Sequence, residues 1–177
     1  MRHYLAFAAP LAMLASPALA QDSTGTVDVT GSVAGRCLFT TPNDAIILGE
    51  LALGGSDTNA GKLNAAVVNN APAAELVGWC NNSAATMEVL ATPLVNVADA
   101  ADGFTNLIDY TATATANDIP ASDSTTTEGA GDPADVGMFT GTVTVDLSDA
   151  ATDGGILVAG DYAGQVTVTL KPNFAPQ

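Results

Sequence analysis

The side chains whose type and spacing come closest to doing chemistry are carboxylates. Asp146, Asp149 and Asp153 precede Gly154 in the run Asp-Leu-Ser-Asp-Ala-Ala-Thr-Asp-Gly, and Asp99 and Asp102 form a second pair. Carboxylate oxygens beside a turning glycine suit calcium, and paired carboxylates can cleave a glycosidic bond. The spacing departs from the Asp-x-Asp-x-Asp-Gly pattern of an EF-hand, and solvated acidic loops are the simpler reading. Nucleophilic catalysis lacks its base: the single histidine is His3, while Lys62 and Lys171 stand isolated. A phosphate loop is missing too. Gly54-Gly55 has no Lys-Ser/Thr after it, and Gly129 to Gly131 sits among acids that repel phosphate. Neither an enzyme, a metal centre nor a cofactor is expected.

Two cysteines remain, Cys37 and Cys80, and their meaning depends on the compartment. Residues 1–20 read as a signal peptide of the Sec route. Arg2 and His3 form a positive start, Tyr4 to Leu14 an apolar stretch, and Ala18-Leu19-Ala20 the small residues that precede cleavage. The apolar stretch is too short, and too broken by Pro10 and Pro17, to span a bilayer, and no later run is longer. Export brings the thiols into an oxidising environment, where an intramolecular Cys37–Cys80 disulfide is the default.

The remaining 157 residues match one domain with a real core. They carry three cations (Arg36, Lys62, Lys171) against 19 acidic residues, a formal charge of −16. Such a surface repels nucleic acid and anionic membranes and favours solubility.

These chemically active positions would sit on an all-β frame. Thr26 to Val33 alternates strictly, with Val27, Val29, Gly31 and Val33 on one face and Thr26, Asp28, Thr30 and Ser32 on the other. Further strands are expected over Cys37–Thr41, 45–48, 63–68, Glu75–Cys80, Thr86–Ala91, 104–115, 139–147 and 166–170, punctuated by Gly, Asn, Asp and Pro. Residues 97–101 could form one helical turn, 117–135 read as an exposed mobile loop, and 148–155 as an acidic glycine-rich loop. Trp79, beside Cys80, is expected in the core against the bridge; the alternative is a glycan-stacking residue. Tyr110 and Tyr162 are expected in the sheet with wet hydroxyls. Eight to ten short strands and one disulfide indicate an immunoglobulin-like β-sandwich.

Several of these stretches resemble a family. Gly25-Thr26-Val27-x-Val29-x-Gly31-x-Val33 followed by Cys37 resembles the N-terminus of type 1-like pilins of the bacterial chaperone–usher pathway. Ile47-Leu48-Gly49 resembles the turn after the first cysteine of those subunits, and Cys80 stands where they place the second. The run Ala159-Gly160-Asp161-Tyr162 through Val166, Val168 and Leu170 is similar to the ending shared by pilins and spore coat protein U-like secreted proteins. The chain departs from pilins at its end: Tyr162 lies far upstream, and Phe174 is the aromatic residue nearest the C-terminus.

The resemblance implies a pilin-type sandwich that lacks one strand and is completed by a donor strand from a neighbour. Residues 21–35 would then be an N-terminal extension, with Val27, Val29, Gly31 and Val33 as the groove-filling, subunit-interface residues. Residues 36–177 would form the immunoglobulin-like domain. The implied product is a surface fibre, a pilus or fimbria, that supports adhesion or biofilm. Its implied partners are identical or related subunits, a periplasmic chaperone and an outer-membrane usher. The implied route is periplasmic transit to the cell surface or medium. The alternative is a self-complete, non-polymerising secreted binding module or adhesin of the spore coat U type, with Val27 to Val33 as its own first strand.

Overall fold

A computed structural model describes residues 22–173; residues 1–20, read above as a signal peptide, and Phe174 lie outside the described residues. The chain divides into two units after Val33. Residues 22–33 form no helix or strand, and Val27, Val29 and Val33 are 88–92% exposed.

The unit that begins at Ala34 is all-β apart from one short helix. Its elements are β1 (Cys37–Thr41), α1 (Ala65–Asn69), β2 (Ala74–Cys80), β3 (Thr86–Ala91), β4 (Leu94–Val95), β5 (Phe104–Thr105), β6 (Leu107–Ala116), β7 (Ile119–Ser124), β8 (Ala134–Asp135), β9 (Phe139–Ala151), β10 (Ile156–Leu157) and β11 (Val166–Lys171). One antiparallel sheet runs β1-β2-β9-β6, with β4 and β7 both hydrogen-bonded to β6. A second runs β11-β3-β8, and β5 and β10 form a small parallel pair. The sheets close over a core that includes Met87 and Val89 from one and Ile108, Ala112, Ala114 and Val143 from the other, all fully buried.

Period-two patterning explains most of this. In β6, Ile108, Tyr110, Ala112, Ala114 and Ala116 point inward while the intervening Asp109 and threonines stay partly exposed. Small alanines on that face let the sheets approach closely. In β9, Val143, Val145 and Leu147 do the same. An extra residue then shifts the pairing of β9 with β6: Asp149 takes a φ of 53° and the strand continues to Ala151. The expected acidic loop therefore begins later, because a bulge absorbs the break in alternation.

Four other expectations are corrected. Residues 63–68 were expected as a strand, but Ala65–Asn69 is a helix. Leu63, Ala65, Ala66, Val67 and Val68 do not alternate, whereas one helical turn puts Ala65 and the fully buried Val68 on one face. Residues 45–48 form no strand, and residues 97–101 form no helical turn, with Val97 fully exposed. The expected mobile loop 117–135 holds a hairpin. Asn117 and Asp118 have φ values of 51° and 62°, the two left-handed residues of a tight turn that returns the chain as β7. Pro120 is tolerated because β7 bonds only to β6 and leaves its other edge free of the ladder. Asp123 on β7 is 4% exposed, and its carboxylate accepts the Ala91 N–H at 2.8 Å, which joins the two sheets.

Candidate functional site

The disulfide and the groove beside it are built from the same strands. Cys37 and Cys80 face each other across β1 and β2 and are joined, Cα to Cα 4.1 Å apart. Successive side chains of β2 alternate, so Trp79 projects to the face opposite Cys80. It is half-buried beside Leu38 and Thr140 on the outside of the sheet, and the expected core position against the bridge is not the one it takes.

Strand β1 hydrogen-bonds only to β2, and β11 only to β3, so each has an unpaired edge among the described residues. Near the disulfide the two come close: a Cβ on Gly78 would meet Phe39 of β1 at 3.0 Å and Leu170 of β11 at 3.4 Å. Further along they part and leave a groove. It comprises two adjoining cavities of about 500 and 620 Å³ that share Ile46, Leu48, Leu94 and Gly164. One wall is Phe39 and residues 42–48; the other is Gln165 to Val168 with Gly164. Ala74 and Leu76 of β2, Tyr110 of β6, and Val145 and Leu147 of β9 form the floor. The second cavity extends past Leu51, Leu157 and Tyr162.

The floor side chains are apolar, whereas Asn43, Asp44, Gln165 and Thr167 make the walls mixed, so an occupant would gain by burying apolar side chains against the floor. Both edges could supply main-chain partners to an extended segment. Tyr110 is 3% exposed, and its hydroxyl donates to the Thr92 carbonyl at 2.8 Å, so it is not wet as expected. Burial, with the Asp123 charge adding to it, pushes its phenol up to about 12. Tyr162 stands in a loop, not the sheet, with its hydroxyl within reach of the Val158 and Thr105 carbonyls. Its phenol is raised by burial. At the groove mouth Asp44 accepts main-chain N–H bonds from Glu75 and Ala45, which hold its carboxyl below the usual range.

The candidate acids are not gathered into a site. Asp146 lies on β9, Asp149 at its bulge and Asp153 in the following turn, where it accepts the Gly155 N–H; all are exposed. Asp99 and Asp102 lie in an exposed loop. Among the described residues no three His, Cys, Asp or Glu side chains are arranged to hold a metal ion. Val27, Val29 and Val33 project from the exposed segment 22–33. Of the groove residues, the sequence points to Ile47-Leu48-Gly49, Tyr110, Ala159 to Tyr162 and the inward register of Val166 and Val168, but it does not bring them together into one site. The alternation over 45–48 turns Ile46 and Leu48 to one side: Ile47 is 86% exposed while its two neighbours are partly buried. No known protein-family model, curated protein or solved structure matches this chain.

Proposed function

We propose that this chain is a structural subunit of a bacterial surface fibre assembled by donor-strand exchange. The domain from Ala34 onward is then an immunoglobulin-like, pilin-type sandwich lacking one strand. The observation that carries this reading is the groove with an apolar floor that opens between residues 42–48, which follow β1, and the free edge of β11. The occupant is residues 26–33 of a second copy. That segment alternates valine with polar residues, and its valines are exposed. Inserted as a strand, Val27, Val29 and Val33 would face the floor, and burial of each contributes about 1.5–3 kcal/mol. Gly31 suits the point where inserted backbone and floor come closest. Main-chain bonds to the free edges would add affinity without demanding a particular sequence.

The resemblance to chaperone–usher pilins supports the same route. The chain is exported, a periplasmic chaperone covers the groove in transit, and an outer-membrane usher passes subunits to the surface, where the fibre serves adhesion or biofilm. The subunit would have no catalytic task. The test is an SDS gel of protein expressed with its export signal, unheated beside boiled, with a variant lacking residues 22–33. A ladder lost on boiling and absent from the deletion is the expected result. A soluble monomer that needs no helper and is destabilised by the deletion would assign the segment to its own fold and overturn the proposal.

A further inference from the structure

One wall of the groove is held in an unusual way. The chain leaves β1 at Thr41, and residues 42–50 then run along the groove with Ile46 and Leu48 turned toward the core. Among the described residues, no hydrogen bond between main-chain groups reaches 42–50. Its one hydrogen bond to a distant residue is the Glu75 N–H donating to Asp44 Oδ2 at 2.7 Å. The other oxygen, Oδ1, accepts the N–H of Ala45 at 2.8 Å. A single carboxylate thus joins the root of the wall to the second residue of β2. Pro42 and Asn43 line the groove on one side of it, and Ile46 and Leu48 on the other.

We propose that Asp44 is a positioning residue for strand capture, a latch that keeps the wall 42–48 at the spacing an inserted strand fills; this rests on the strand-exchange reading above. Physically, the wall has two ways to lose its present position. Ile46 and Leu48 gain burial if it collapses onto Leu76 and Val145, and its unpaired main chain gains water if it swings out. Ionised Asp44 opposes both, because two fixed N–H donors on one carboxylate form charge-assisted bonds. The latch sits on the surface and supports none of the fully buried core, so its loss should be felt at the groove before it is felt in global stability.

The test uses the full chain and a fluorescein-labelled peptide of residues 22–35, with binding followed by anisotropy to equilibrium. Asp44→Ala should raise the peptide Kd by about tenfold or more, the scale of a lost hydrogen bond to a charged group. The midpoint of thermal unfolding should stay close to that of the parent. Asp44→Asn keeps one acceptor oxygen and should fall between the two. An unchanged Kd in Asp44→Ala, with the parent binding peptide, would overturn the latch and leave strand exchange standing. A Kd rise matched by a collapse of the unfolding midpoint would also overturn it, because the role would then be global. Failure of the parent to bind the peptide would overturn strand capture and the latch together.

Discussion

Strands β3 and β11 lie side by side in one sheet, yet one is finished and the other is not. Met87 pairs with Leu170, Val89 with Val168 and Ala91 with Val166, so all six residues share the inward face. Met87 and Val89 are completely buried, whereas Val166, Val168 and Leu170 remain partly exposed. The inward residues do not explain the difference, since both strands turn apolar side chains to that face: Met87, Val89 and Ala91 on β3, and Val166, Val168 and Leu170 on β11. What differs is the opposite layer. β3 packs against β6 and β7, while β11 looks across the groove toward β1 and residues 42–48. A strand facing a gap keeps an inward pattern that its own chain does not satisfy. That unspent burial is the physical basis for reading the gap as a seat for another strand.

The comparison breaks most visibly at Met87. Truncation to alanine removes a fully buried side chain from a tightly packed interior and should cost about 2–5 kcal/mol. A fall in the denaturant midpoint without a change in slope would register it. A loss below about 1 kcal/mol would mean that the β3 side of the core relaxes as freely as the open side, and the contrast with β11 would disappear.

The legible part of the fold is the part with alternating residues. β6 from Ile108, β11, and β9 as far as Leu147 follow the period of two; β2 and β3 follow it less strictly, because Val77 and Leu90 place apolar side chains on the outer face; and the disulfide joins the two cysteines that the sequence offers. The hairpin 117–124 was harder to see because its turn is Asn-Asp and its strand Ile-Pro-Ala-Ser-Asp-Ser is polar, with only Ala121 and Asp123 buried. Tertiary pairing with β6 makes it a strand; propensity does not. Residues 45–48 show the opposite case. They alternate as a strand would, but the strand partner that would make them one is not supplied by the unit from Ala34 onward. A groove is implied by the family resemblance, but its walls are not legible in the sequence for a related reason: periodicity shows which face is apolar, and only topology shows which apolar face lacks a cover.

At the seam between the two regions stands Tyr110, buried on the floor with its hydroxyl on the Thr92 carbonyl. Thr92 exchanges main-chain and hydroxyl bonds with Gln165, just before β11. Burial and the Asp123 charge raise the phenol from 10.0 to about 12, so the folded chain holds this proton where the unfolded chain releases it. Stability supported by the neutral phenol is present below pH 10 and is lost as pH climbs toward 12. Denaturant midpoints across that window should fall more steeply in the parent than in Tyr110→Phe, with Tyr162 common to both. Equal slopes would mean that water reaches the phenol from the groove, and that the seam belongs to the open side.

The smallest effect, and the most discriminating, is expected at Val168. It is the register partner of Val89, so Val168→Ala and Val89→Ala remove the same atoms from paired positions of one sheet. Val89 is fully buried, and its truncation should leave a cavity; Val168 already borders open space, and its loss should change the stability of the unpolymerised chain by less than about 1 kcal/mol. Its consequence should emerge only when the groove is filled, because an inserted strand would then cover this position. The SDS-resistant ladder of Val168→Ala should dissociate at a lower temperature than that of the parent, while the isolated subunit unfolds almost unchanged. If instead the isolated subunit lost as much stability as Val89→Ala, β11 would already be covered by its own chain, and the distinction between the two strands would be one of surface area rather than of assembly.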